Sequence, residues 1–202
     1  MDIAATNYLY ALGAISTTFV GFSAIIMIFR QTVGGGLTPL DSWITLVFVQ
    51  LGFLVTAGSL SAPLLALCDV APTMVWRLCS GGVGLLVATF AASYPLRRRA
   101  VSGMPTPLFV WIDLLLLAIC TIILLGNAVG RPLAPNPASF SVGLTGMLFT
   151  AGLGYLHALS SLHKETKRAA RDAAASADES TDQTSYSRPT ATRDARAARS
   201  LV

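Results

Sequence analysis

Five apolar runs, each about as long as a membrane is thick, constrain this chain more than any other feature of its sequence. A helix needs about 20 apolar residues to cross a hydrocarbon core of roughly 30 Å. In lipid, only helices and closed barrels can satisfy their backbone polar groups internally. The runs therefore predict an all-α, polytopic bundle of about five transmembrane helices. We place the spans at 8–29, 43–67, 76–96, 108–128 and 140–162.

Charge is distributed as this interpretation requires. Charged residues make up 12% of the 202 residues, against about 25% in a typical soluble domain. Residues 1–163, the predicted bundle, contain only six Lys/Arg and four acids. The segment 164–202 holds all the remaining charges; its Ala-rich start is expected to extend helix five, and its Ser/Thr/Asp/Arg-rich remainder to be disordered. The net charge of +4 forms no dense patch, so we expect no nucleic-acid partner.

The basic residues also predict an orientation. Arg30, Arg97 to Arg99 and the start of the tail at Lys164 would all lie on one side of a five-span bundle. Because Lys and Arg accumulate in cytoplasmic loops, we expect the N-terminus outside and the tail inside. If segment two, which contains Pro63, only re-enters the membrane, the count becomes four and this topology fails.

Small residues at every fourth position are the strongest pattern within the helices. This spacing keeps them on one helix face, and small side chains let helix backbones approach closely in lipid. We therefore expect a compact bundle, packed within one chain or between subunits. The predicted packing residues are Gly13, Thr17 and Gly21; Gly58, Ala62 and Ala66; Ser80, Gly84, Ala88 and Ala92; and Gly146, Thr150, Gly154 and Ala158.

Helix four has bulky Leu and Ile side chains instead, and is expected to face lipid with Asp113 turned inward. A carboxylate in hydrocarbon costs at least about 2.5 kcal/mol, so Asp113 should face protein, meet a base or be protonated. It is the first candidate for a functional residue. The alternative is a structural ion pair with Arg97 or Arg98 at the same end of helix three.

Three further polar residues fall at a depth similar to that of Asp113. Ser23, Gln50 and His157 lie in the same half of helices one, two and five. An acid, a histidine, an amide and a hydroxyl in one layer would suit a proton or cation relay. The alternative is that His157 is an ordinary hydrogen-bonded residue near the interface. Near the other end, Asn127 is expected to cap helix four.

No catalytic, phosphate-binding or metal-binding motif is found in the sequence, so we expect no cofactor and no enzyme activity. The three cysteines, Cys68, Cys79 and Cys120, form no metal motif, although Cys68 and Cys79 flank a short loop and could approach each other. These observations favour a non-catalytic accessory or scaffold subunit that acts through helix association in the bilayer, with copies of itself or with a membrane-protein partner. The alternative is a small oligomeric channel or proton-linked transporter using Asp113 and His157. The Ala- and Arg-rich composition is typical of bacterial proteins, so we expect the bacterial cytoplasmic membrane.

Overall fold

A computed structural model describes residues 3–32, 39–103, 107–131 and 134–157, together with residues 160 and 171. In the described ranges the regular structure is α-helical, and five helices are long and apolar enough to cross a membrane. The prediction of an all-α chain with five such helices is confirmed. The helices are α1 (Ile3–Thr32), α2 (Pro39–Leu67), α3 (Pro72–Ser102), α4 (Leu108–Val129) and α5 (Pro137–His157).

The chain divides into two compact units, Met1–Ala158 and Leu159–Val202. All five helices belong to the first unit. The predicted tail, 164–202, lies outside the described residues apart from residue 171. Its helical extension and its disorder therefore stay predictions.

Two prolines lie inside helices without ending them. α2 runs through Pro63 to Leu67 and is long enough to cross completely. α3 continues through Pro95 to Ser102, so the predicted end of this span at residue 96 was too early. Prolines are tolerated in transmembrane helices because neighbouring groups satisfy the carbonyl that they free. Arg97 to Arg99 consequently lie within a helix rather than in a loop.

Gly103 ends α3. It adopts a left-handed φ of 64°, and its N–H donates to Arg99 O at 2.9 Å. A glycine in this conformation closes a helix without the steric penalty that a Cβ would bring.

The first four helices pack in chain order: α1 on α2, α2 on α3, and α3 on α4. α5 completes the bundle, and one of its faces is buried in the interior. The side chains of Phe140, Leu144 and Met147 on α5 have no exposed surface. Phe140 stacks against Trp76 of α3, with ring centroids 5.8 Å apart. Leu144 lies against Gly58 of α2.

α5 also contacts the two outermost helices. The Thr145 hydroxyl has one proton, which it donates to Ser141 O. Tyr8 Oη of α1, 2.6 Å away, is therefore the donor in its bond to Thr145 Oγ1. On the other side, Gly143 lies against Leu124 of α4. α5 therefore contacts every other helix of the bundle.

We name the two ends of the bundle by their residues. The arginine end holds Arg97 to Arg99; there α1, α3 and α5 end, and α2 and α4 begin. The amide end is the opposite one and holds Asn127 and Asn136.

The helices meet most closely at glycines. A Cβ on Gly52 of α2 would overlap Val20 Cγ2 of α1, and one on Gly143 would lie 2.7 Å from Leu124 Cγ. Ser16 Oγ also donates to Gly52 O at 2.8 Å, across the same α1–α2 contact. Gly52 and Gly143 are absent from the predicted four-residue pattern.

Most of the predicted packing residues lie at helix contacts. Gly13 meets Ser59, Gly84 meets Leu124 and Leu125, and Gly146 meets Cys120. Gly58, Ala62, Ser80 and Thr150 are buried, Ala66, Ala88 and Gly154 partly buried, and Thr17 is exposed with its hydroxyl bonded to Gly13 O. Gly21 and Ala92 lie on exposed surface, and Ala158 lies outside the residues whose surroundings are described.

α4 has two distinct faces. Trp111, Ile112, Leu115, Ile119 and Ile122 form its exposed face, as expected of a helix that meets lipid. Its buried face consists of Val110, Leu117, Cys120, Thr121, Leu124 and Asn127.

The glycine contacts predict opposite effects for two chemically identical substitutions. Gly52→Ala should destabilise the bundle by about 1–3 kcal/mol, because the new methyl overlaps a valine whose rotamer is fixed in a helix. Gly21→Ala is the matched control: nothing lies within 4 Å of its Cβ position, and alanine favours the helix by up to about 1 kcal/mol. Thermal unfolding in one detergent should give a lower midpoint for Gly52→Ala and an equal or higher one for Gly21→Ala. Equal midpoints for the two variants would contradict the α1–α2 contact.

Candidate functional site

Asp113 lies on α4, about 8 Å along the axis from Leu108 at the helix start. Its side chain is partly buried. It faces α5: Asp113 Oδ2 is 3.2 Å from the position that a Cβ would take on Gly154. The missing side chain of Gly154 therefore makes room for the carboxylate against the α5 backbone.

His157 lies one helical turn beyond Gly154, at the arginine end of α5. Its Nδ1 is 3.0 Å from Leu153 O. Because a carbonyl oxygen can only accept, Nδ1 carries the proton of the neutral ring, and Nε2 holds the basic lone pair. The ring stacks on Phe109 of α4, with centroids 5.4 Å apart and planes inclined by 13°.

Asp113 and His157 are thereby brought together across the α4–α5 contact. Phe109 and Asp113 are four residues apart on α4, and they face His157 and Gly154 on the antiparallel α5. The carboxylate and the imidazole lie close enough for their charges to act on each other. An acid and a base in this arrangement can hold a proton between them.

α3 contributes two more polar side chains to this end. The Tyr94 hydroxyl lies within hydrogen-bonding reach of Arg98, and the charge of Asp113 also acts on it. Arg98 is buried, with 8% of its surface exposed. Trp43 of α2 packs on the Tyr94 ring at a centroid distance of 5.0 Å. Together with Asp113 and His157, Tyr94 and Arg98 form what we call the arginine-end cluster.

Two members of the predicted polar layer lie elsewhere. Ser23 is buried, but its hydroxyl donates to Phe19 O of its own helix at 2.9 Å. Gln50 is exposed on α2, although Phe48, two residues earlier, packs against Gly154. Depth along the membrane was shared, but the helix faces differ. The structure thus brings only His157, of the three, to Asp113.

The ion-pair partners proposed for Asp113 take different positions. Arg97 is exposed, whereas Arg98 is buried beside Tyr94. His157 of α5 lies close enough to Asp113 for a charge on its ring to act on the carboxylate. An Asp113–arginine pair stays a prediction.

Tyr155 fixes α5 next to this cluster. Its ring makes edge-to-face contacts with Phe19 of α1 and Phe48 of α2, at centroid distances of 5.6 and 5.5 Å. Such aromatic pairs contribute about 0.5–1.5 kcal/mol beyond their buried area. They hold the turn of α5 that carries Gly154 against Asp113.

At the amide end, Asn127 joins three elements, which corrects its expected role as a helix cap. α4 is capped by Gly130 instead, whose φ is 77° and whose N–H bonds Gly126 O. The Asn127 amide donates to Ser80 Oγ of α3 at 2.7 Å and to Asn136 O at 3.2 Å. Its Oδ1 accepts from Asn136 N at 3.0 Å.

Asn136 in turn caps the start of α5. Its Oδ1 accepts from Ser139 N at 2.8 Å, the usual bond of an N-cap residue. The Asn136-Pro137 pair was the sequence signal for this cap, because Pro is favoured at the first helical position. Nothing local in the sequence identifies Ser80 as the partner of Asn127, 47 residues away.

The three cysteines form no disulfide bond with one another. All three are free thiols: Cys68 is exposed at the α2–α3 turn, and Cys79 and Cys120 are buried. In the part of the chain that the structure describes, no group of three or more His, Cys, Asp or Glu side chains could hold a metal ion.

A long outward-facing crevice separates α1 from α5. Its stretch towards the amide end has a volume of about 660 Å³ and its stretch towards the arginine end about 500 Å³. Phe149 of α5 borders both stretches. We call this feature the α1–α5 crevice; its lining is mostly apolar or small, and includes Ala5, Tyr8, Ala138, Val142 and Gly146 in the first stretch and Ile15, Phe22, Gly152 and Leu156 in the second.

Comparisons of this chain with protein-family models, with curated proteins and with solved structures find no match.

Proposed function

We propose that this protein is a non-catalytic accessory or scaffold subunit that lies in a membrane. It acts by binding a transmembrane helix in the α1–α5 crevice. The observation that carries the proposal is the position of α5. One face of this helix fills the interior of the bundle, and its contact with α1 leaves an open crevice.

Because side chains fill the interior of the bundle, we place the binding surface on its outside. Phe140, Leu144 and Met147 of α5 meet Leu124 of α4 and Val55 of α2 in the interior, and none of these five side chains is exposed. Ligand sites in helix bundles are usually built between facing helices, in the space that these side chains occupy.

The crevice has the dimensions of a helix-binding surface. On α1 it extends from Ala5 to Phe22, about 26 Å of helix, which is most of a hydrocarbon core of roughly 30 Å. Ala5 and Gly152 supply the small side chains that allow another helix to approach. The bound helix belongs to a second copy of this chain or to another membrane protein.

A proton-linked transporter or channel is the second candidate. The placement of Asp113 and His157 across the α4–α5 contact favours it. It has less support, because the side chains of α5 occupy the middle of the bundle, where a path would have to run.

We further propose that the chain lies in a bacterial cytoplasmic membrane with its N-terminus outside. The support is the concentration of Arg97 to Arg99 at one end of the bundle, because positive charge accumulates on the cytoplasmic side.

The native cysteines allow a direct test of orientation. Cys68 is exposed at the amide end, whereas Cys79 and Cys120 are buried. A membrane-impermeant maleimide added to intact cells should label Cys68. In a Cys68→Ser background, Val101→Cys, at the exposed arginine end of α3, should be labelled only after permeabilisation. The reverse pattern would contradict the proposed orientation.

Association through the crevice can be tested by native mass spectrometry of the full chain, extracted gently from its own membrane. Gly152→Leu places a bulky side chain in the crevice, because nothing lies within 4 Å of the Gly152 Cβ position. We expect association to weaken about tenfold or more, which corresponds to at least about 1.4 kcal/mol.

Gly82→Leu is the matched control. Gly82 lies on the exposed face of α3, also with nothing within 4 Å of its Cβ position. This variant should retain the complex. A complex with a second copy and a complex with another protein are distinguished by mass. A monomer in the unmodified protein, or equal effects of the two variants, would contradict the proposal.

A further inference from the structure

We propose that Asp113 and His157 form a site that binds one proton from the arginine end, and that proton binding tightens α4 on α5. The proton is the ligand, and the α4–α5 contact is the element that responds. This inference does not depend on the proposed association through the α1–α5 crevice.

The α4–α5 contact positions both side chains of the pair. Asp113 lies against α5 where Gly154 leaves room for it, and His157 lies one turn further along α5, stacked on Phe109. Both members of the pair are therefore held by the packing of α4 on α5. Any change in the attraction between them acts directly on that contact.

The charge of the Asp113–His157 pair depends on whether it holds a proton. With no proton on the pair, the site carries one negative charge in a partly buried position. With one proton the net charge is zero, whichever of the two side chains holds it. In these partly buried surroundings the attraction between a carboxylate and an imidazolium is stronger than in water, so the folded chain favours the protonated pair. Because the folded chain gains from the proton, stability should rise on acidification and fall as the pH rises.

Side chains of α2 and α3 also face the pair. On α3, Tyr94 interacts with both Arg98 and Asp113. On α2, the residue against Gly154 is Phe48, which does not titrate. Arg98 stays charged over the whole range in which histidine titrates, so it contributes a constant field rather than a pH dependence.

Protons reach the pair from the arginine end. His157 is exposed at the end of α5, so its basic Nε2 can exchange protons with the medium at the arginine end. Towards the amide end, the interior is filled by Leu144 and Phe140, and Asn127 is bonded to Ser80 and Asn136. The site therefore responds to the pH on one side.

The test is a double-substitution cycle on the full chain, followed by thermal unfolding at about pH 5.5 and about pH 8, on either side of the usual titration of histidine. Asp113→Asn keeps the shape of the side chain and removes its charge. His157→Asn keeps an amide nitrogen near the position from which Nδ1 donates to Leu153 O. The control is His163→Asn, which removes the only other histidine of the chain.

We expect the unmodified protein and His163→Asn to unfold several degrees higher at the acidic pH. Asp113→Asn, His157→Asn and the double variant should lose this gain, and the coupling between the two positions should be present only at the acidic pH. A gain that survives in either single variant, or that is absent from the unmodified protein, would overturn the proposal.

A second measurement replaces neither residue of the pair. In His163→Asn protein, isotope-labelled histidine reports on His157 alone, and its ring titration can be followed by NMR. The stability gain should begin as the pH falls through this titration midpoint of the folded protein, and it should be complete below the usual titration range of histidine. A gain that begins at a clearly different pH would show that another group drives it and would overturn the proposal.

Discussion

The bundle depends on how closely α5 can approach the helices around it. Between helices in lipid there is little hydrophobic driving force, so association rests on van der Waals contact, which falls away within an ångström of added separation. α5 meets Gly58 of α2, and its own Gly143 and Gly146 let it meet Leu124 and Cys120 of α4. A methyl group at Gly143 or Gly146 would approach its neighbour to less than 3 Å.

The polar features at both ends follow from this central helix. At the amide end, Asn136 caps α5 and exchanges two hydrogen bonds with Asn127 of α4, whose amide also donates to Ser80 of α3. At the arginine end, Gly154 makes room for Asp113, and His157 completes the pair. At the amide end these bonds satisfy the buried Asn127 amide, as a membrane interior requires. The association that we propose uses the remaining side of α5, where α1 only partly covers it.

The five helices could be predicted because span length is set by the bilayer and is visible in any apolar run. The close contacts were harder. Gly146 and Gly154 follow the four-residue spacing, but Gly143 lies three residues before Gly146, and Gly52 lies six before Gly58. Whether a glycine lies at a contact depends on the rotation of its helix against its neighbours. Gly21 fits the spacing and still faces outward.

The candidate site shows the same limit. Depth could be counted along each helix, and it predicted Asp113, His157 and Gln50 at one level. The face of each helix could not be predicted, and Gln50 is exposed. The α3 end was placed too early because Pro95 and the three arginines resemble a loop in sequence. The crevice depends on the distance between α1 and α5, about which the sequence contains no direct information.

Proton flux through the purified protein in sealed liposomes tests the account most directly. Because α5 fills the centre and the Asp113–His157 pair exchanges protons at one end, the account predicts a flux no greater than that of protein-free liposomes, and no change in Asp113→Asn. A flux above background that Asp113→Asn abolishes would contradict it, and would establish the pair as part of a path across the membrane.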